Sequence, residues 1–199
     1  MSVTLIAGLG NPGREYAATR HNLGFTVVEA LAAAERLKWE TDSHFQVEFA
    51  RWDVRPRVTR LLVKPQTFMN ESGRALRALL DFHQAPVDSL IVAYDDLNID
   101  LGLVKVSVSG SAGGHNGVAS LLEHVGDGFL RYRLGIGSPR PAAMDLKDFV
   151  LGKFTTDQTN LIAQQLNRFV DGLRLLINRG PAEAMNLLNR RDHHEPDQA

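Results

Sequence analysis

Two side chains in this sequence have the types needed to make a nucleophile of water near neutral pH: His21, in the stretch RHN, and Asp95, the first acid of the pair that ends LIVAYDD. An unperturbed imidazole has a pKa of about 6.5, so histidine can take a proton from water under physiological conditions. A neighbouring carboxylate can hold the ring in one tautomer and stabilise its charged form. Three carboxamides stand in motifs of the same kind: Asn11 in GLGNPG, Asn70 in TFMN and Asn116 in GGHNG. An amide carries both a donor and an acceptor, so it can grip a peptide group or steady a developing oxyanion without adding charge. There is no cysteine, and no serine sits in a nucleophile elbow, which leaves water as the attacking species. The chemistry that fits is hydrolysis of an activated carbonyl compound, with no cofactor and no metal; the spacing of a H-E-x-x-H metal site is missing.

Each of these residues has a plainer reading. Asparagine is a favoured residue of turns and helix caps, and Asn70 or Ser72 is a natural cap for the helix that follows. Phe68 and Met69 could equally be core. Asp96 reads as a turn residue, and His115, in a glycine-rich loop, as a local hydrogen-bonding group. His44, His83, His124, His193 and His194 have no motif around them and read as surface residues.

The elements that must position these groups follow from periodicity. Residues 3–9 form a short, wholly apolar strand of the kind buried on both faces. Residues 10–24 make a loop displaying Asn11, Tyr16, Arg20 and His21. From Phe25 the residues Val28, Leu31, Ala32 and Leu37 recur at helical spacing, which predicts a helix ending near Trp39. Residues 45–54 and 58–64 predict an antiparallel hairpin. After TFMN comes a helix, then a second buried strand over 90–94, closed by Asp95 and Asp96. Strand-like LVKVSVS, the loop GSAGGHNG, a short helix through LLEHV, the strand YRLGIG, a long helix over about 156–178 and a short one over 182–188 complete the pattern. The reading is one α/β domain over residues 1–190, a twisted mixed β-sheet flanked by α-helices, followed by a polar tail over 191–199. PAAMDLKD, beyond Pro139, is a candidate lid.

GLGNPG also matches the dinucleotide fingerprint G-x-G-x-x-G. That motif needs its third glycine inside a helix and an acid ending a second strand about 20 residues on. Here Asn22 and Gly24 interrupt any such helix, the expected strand reads AAAERL, and Pro12 removes an N–H from the would-be phosphate cradle. A nucleotide function is set aside. With 199 residues, a net charge of −1 and 44% hydrophobic residues, the composition is that of a soluble globular protein, and any nucleic-acid partner must meet a local basic patch. The N-terminus lacks the basic region of a signal peptide and soon meets glycines and a proline, so the expected location is the cytoplasm, away from any membrane.

Taken together, GLGNPGREYAATRHNLGF, KPQTFMNESG, AYDDLNIDLG, GSAGGHNG, YRLGIGSP, FVLGKF and AMNLLN resemble the bacterial peptidyl-tRNA hydrolase family, in the family's order and through nearly the whole chain. The resemblance implies a metal-free, monomeric hydrolase, with no obligate protein partner, that cleaves the ester joining a peptide to the 3′ end of tRNA and so recycles prematurely released peptidyl-tRNA. It implies His21 as the base, Asp95 as its orienting partner and Asn11 as the group that distinguishes N-blocked from free aminoacyl substrates. Asn70 would bind substrate, Asn116 the water or the 3′ end, and Tyr16, Phe68 and Met69 would line the site. Family members often carry a basic residue soon after GGHNG and on the strand before it, where this chain has Val118, Ala119 and Ser107. That leaves Lys105, Arg131, Arg133, Arg140 and Lys147 for tRNA phosphates. The contrasting expectation is an RNA-binding member of the same fold without ester chemistry.

Overall fold

The computed structural model describes residues 2–139 and 144–190. Its centre is one seven-stranded sheet in the order β2-β3-β4-β1-β5-β7-β6. The strands are β1 (Ser2–Gly8), β2 (Trp39–Asp42), β3 (Val47–Arg55), β4 (Val58–Pro65), β5 (Leu90–Asp100), β6 (Val104–Ser107) and β7 (Leu130–Gly137). β1 runs parallel to β4 and β5, and β5 parallel to β7, while β2-β3, β3-β4 and β6-β7 pair antiparallel. The sheet is mixed, as expected, and the β3-β4 hairpin falls where the alternating pattern predicts it.

Among the described residues, six α-helices flank the sheet: α1 (Leu23–Ala34), α2 (Ser72–His83), α3 (Asn116–His124), α4 (Leu146–Leu151), α5 (Thr156–Arg179) and α6 (Pro181–Leu188). Strand alternation divides the core into two layers. Leu5 and Ala7 of β1 and Leu90 and Val92 of β5 pack with α2 and α3. Ile6, Ile91 and Ala93 face the other way, onto α1 and α5. Each fully buried aliphatic side chain in these layers contributes about 1.5–3 kcal/mol.

The structure corrects the sequence reading in four places. The first helix stops at Ala34, not near Trp39. Arg36 turns left-handed at φ 55°, and the N–H of Leu37 reaches back to the carbonyl of Ala32 at 2.9 Å, so the helix closes on itself without a glycine. The chain then enters edge strand β2, which the helical spacing of Leu37 had hidden. Strand β5 does not close at Asp95 and Asp96 but continues through both to Asp100, with an irregularity in its pairing to β7 between Asp96 and Asp100. Neither Asn70 nor Ser72 caps α2: Ser72 is buried inside the first turn, and the N–H of Gly73 is met instead by the Ser120 hydroxyl of α3 at 3.0 Å. Finally, α4 is a helix where only a lid segment was anticipated; residues 141–143 of that segment, and the tail over 191–199, lie outside the described residues.

The glycines of GLGNPG have a packing explanation. A Cβ on Gly8 would lie 2.4 Å from the carbonyl oxygen of Gly24, and one on Gly24 would lie 2.4 Å from that of Ala93, so only glycines let α1 begin against the ends of β1 and β5. Gly10 sits equally close under the Phe25 ring. At the opposite end of the sheet, Asn189 closes the exposed edge of β6: its side-chain oxygen accepts from the Val106 N–H at 2.7 Å, and its NH₂ donates to the Val106 carbonyl at 2.9 Å. Among the described residues, no helix is long and apolar enough to cross a membrane.

Candidate active site

The loops after β1, β4 and β6 meet the middle of β5 above the sheet and line a cavity of about 430 Å³. Asn11, His21, Phe68, Met69, Asn70, Asp95, Asp96, His115 and Asn116 all contribute to its walls, and α4 closes one side with Leu146, Lys147, Val150 and Leu151. Residues far apart in sequence are thus brought to the strand ends where open α/β sheets hold their ligands.

At its floor lies a three-residue cluster. Asp95 is 3% exposed and receives His21 Nδ1 at 3.0 Å from each of its two oxygens. His115 Nε2 lies 3.1 Å from Asp95 Oδ1. The protonation pattern follows from the neighbours. His115 Nδ1 accepts the backbone N–H groups of Gly117 at 3.1 Å and Val118 at 3.3 Å, capping α3, so its proton must sit on Nε2 and point at Asp95. His21 also donates to the carboxylate through Nδ1, which leaves its Nε2 as a lone-pair acceptor. Burial alone would raise the Asp95 carboxyl, but the two imidazoles that face and hydrogen-bond to it outweigh that effect and hold it well below the ordinary carboxylate range. Asp95 is therefore an anion whose two partners are fixed as donors. The same three residues offer atoms within 4.8 Å of one another, a donor set of the kind that binds Zn²⁺, and in this geometry those atoms are joined by hydrogen bonds.

Asn11 is 7% exposed and held rigidly. Its backbone N–H donates to Asn22 Oδ1 and its carbonyl accepts from Asn22 Nδ2, both at 2.9 Å. Its side-chain oxygen accepts the Met69 N–H at 2.8 Å. One lone pair of that oxygen is committed, and the Asn11 NH₂ is the group left to donate to a ligand. Met69 is buried against Gly117, where a Cβ would approach its sulfur to 2.6 Å; Phe68, by contrast, is 60% exposed on the rim. Asn70 and Asn116 are exposed cavity residues. Tyr16 is half-buried in the preceding turn and is not part of the cavity wall.

The residues expected to meet phosphates separate. Arg131 is 1% exposed: its guanidinium donates to the carbonyls of Ser111, at 2.9 Å, and Gly110, and to Asp127 at 3.2 Å. It tethers the loop that leads to GGHNG and has no surface to offer a phosphate, which corrects the expectation. Arg133 is partly exposed and bonded to Asp96 Oδ2 at 2.8 Å, so Asp96 is an ion-pair partner; its Oδ1 also accepts the Asn98 N–H at 2.8 Å, the local bond expected of a turn residue. Lys105 pairs opposite Arg133 across β6 and β7. Val118 is fully buried in the α2-α3 layer, so a basic residue has no room there, whereas Ala119 is exposed. Arg140 lies outside the described residues.

His115 is the residue that sequence reasoning missed. Its position before Gly117 and Val118 signals a helix cap; nothing local signals that the far side of the ring reaches Asp95, 20 residues away in sequence.

The sequence profile of the family described as Peptidyl-tRNA hydrolase matches residues 5–196. A peptidyl-tRNA hydrolase of Synechococcus elongatus is 41% identical over 199 aligned residues, covering 97% of this chain and 95% of that protein. One from Anaeromyxobacter dehalogenans is 43% identical over 188 residues, covering 94% and 96%. Among solved structures, the peptidyl-tRNA hydrolase of Acinetobacter baumannii superposes with a TM-score of 0.85 at 34% identity, covering 94% of each chain.

Proposed function

This chain belongs to the peptidyl-tRNA hydrolase family, and on that premise we propose how its own residues carry out the reaction. The protein is a carboxylic ester hydrolase that cleaves the ester of peptidyl-tRNA. His21 is the base. Its free Nε2 takes a proton from a water molecule as the water oxygen bonds to the ester carbonyl carbon. The resulting imidazolium is stabilised by Asp95 and returns the proton to the tRNA 3′ oxygen when the carbon–oxygen bond breaks, releasing peptide and tRNA. His115 holds the carboxylate from its other side. The observation that carries this reading is the hydrogen-bond geometry of His21, Asp95 and His115, which commits His21 Nδ1 to the carboxylate and leaves its other ring nitrogen for the water.

The Asn11 NH₂ donates to a peptide carbonyl oxygen; an N-blocked aminoacyl group supplies one and a free α-ammonium does not. Asn70 and Asn116 hold substrate and water from the rim. Phe68 offers an exposed face to the terminal base or to a peptide side chain. Lys105, Arg133 and Lys147 are the phosphate contacts. On this reading the protein acts as a monomer without an obligate partner, in the cytoplasm where tRNA is charged.

The test is single-turnover release of N-acetylaminoacyl groups from charged tRNA, with unblocked aminoacyl-tRNA as control. Wild type releases the blocked group alone, and His21→Ala releases neither. Equal rates for the two proteins overturn the assignment of the base; tight RNA binding without release by either favours the non-catalytic reading.

A further inference from the structure

The residue before the base is an interior arginine with no carboxylate partner among the described residues. Arg20 is 7% exposed, and its guanidinium donates to the carbonyls of Lys153 at 2.8 Å and Phe149 at 3.3 Å and to Gln158 Oε1 at 2.9 Å. It lies over the Phe149 ring at 4.4 Å and the Phe154 ring at 5.2 Å, and its Nε is buried without a hydrogen-bond partner. The backbone joins the same contact: the Arg20 N–H donates to the Gly152 carbonyl at 3.1 Å, and Thr19 bridges to Lys153. Desolvation lowers the affinity of this group for its proton, so the site bears a charge that carbonyl dipoles and aromatic faces alone offset.

Both carbonyls belong to the end of α4 and the residues just after it. The preceding turns of α4 line the cavity through Leu146, Lys147, Val150 and Leu151. Gln158 extends the connection: it completes the cap of α5 with Thr155 and donates to Ser138 at the end of β7. One guanidinium therefore fastens a wall of the cavity, a six-residue helix, to the segment that carries the catalytic imidazole. A bidentate planar fork can satisfy these separated acceptors at once; an ammonium cannot.

We propose that Arg20 is a positioning residue for ester cleavage, setting the separation between His21 and the α4 wall so that a substrate held against α4 meets Nε2 at attacking distance. The inference rests on His21 as the base. Arg20→Lys keeps the charge and the bulk of the stem but loses the fork. In single-turnover release of N-acetylaminoacyl groups by the full chain, its rate constant falls roughly 10- to 100-fold, with reaction amplitude, tRNA affinity and the shape of the pH profile unchanged. A merely structural role gives the opposite pattern, a reduced amplitude of active protein and a normal rate constant. Gly152→Ala perturbs the same contact without touching Arg20, because the added Cβ lies 3.1 Å from Arg20 Nη1 and from the Asp148 carbonyl. It lowers the rate constant in the same direction and by less.

If Arg20→Lys does not fold, Gly152→Ala alone decides. A folded variant within about threefold of the wild-type rate, or a loss confined to tRNA affinity, overturns the proposal. His21→Ala runs beside both: wild-type activity in that variant refutes the base itself, whereas its inactivity with a fully active Arg20→Lys refutes only the role of Arg20.

Discussion

Replacing Asp95 with asparagine isolates the protonation pattern from the shape of the site. The amide is the same size as the carboxylate, but its two ends differ. His115 presents a fixed Nε2–H to the Oδ1 position, because its Nδ1 already accepts two backbone donors, so the amide oxygen must lie there. The amide NH₂ then falls at the Oδ2 position, 3.0 Å from His21 Nδ1. Facing a donor, His21 moves its proton to Nε2, the atom that must accept from water. The transition state also loses its counter-ion: unit charges about 3.0 Å apart attract by about 5 kcal/mol at an effective dielectric near 20, a ceiling of almost four decades in rate. General-base catalysis is itself worth about 10² to 10⁴. Single-turnover cleavage by Asp95→Asn should therefore fall by that range, with folding by circular dichroism and tRNA affinity retained. A folded variant within about tenfold of wild type refutes the tautomer argument.

His115→Ala removes a helix cap and one donor to Asp95, so it lowers stability by about 1 kcal/mol or more and slows cleavage; combined with Asp95→Asn it slows the reaction no further, since the amide is then free to turn, a non-additivity that a double-mutant cycle reads directly. Arg131→Gln destabilises by about 2–4 kcal/mol in urea unfolding and leaves the salt dependence of tRNA binding unchanged, whereas Arg133→Gln reduces the slope of log K against log salt by about 1. Because the folded Asp95 carboxyl lies below its unfolded value of about 3.9, its contribution to stability is fully present above that pH and is lost as pH falls through the folded value. The melting temperature of wild type should therefore exceed that of Asp95→Asn at about pH 5, and the margin should narrow below about pH 4; a margin that does not narrow there would show that burial, not the imidazoles, dominates.

The strands and most helices were legible because their buried faces repeat every two residues or every three to four, and that repetition is local. The cavity was legible through its motifs: Asn11, His21, Phe68, Met69, Asn70, Asp95 and Asn116 each stand in a short sequence motif, and the parallel strands carry those motifs to one edge. What escaped was set by contacts between distant segments. Ser120, not Ser72, caps α2 because α3 packs across its first turn. Arg131 looks like any basic residue on a strand until the loop over Gly110 and Ser111 folds back on it. His115 has one face whose role is local and another whose partner is fixed only when β5 and α3 are both in place.

The closure of β6 by Asn189 has a consequence for the order in which the molecule is made. A polypeptide emerging from the ribosome delivers its N-terminal segments first, and all seven strands precede Asn189 in the chain. The sheet can assemble while the N–H and carbonyl of Val106 still face outward at its margin, a bare template for another strand. Only when the last helix has been delivered does one side-chain amide occupy both groups. A nascent or truncated chain lacking that helix is thus a transiently adhesive species, and the final few residues of the fold act as its own stopper.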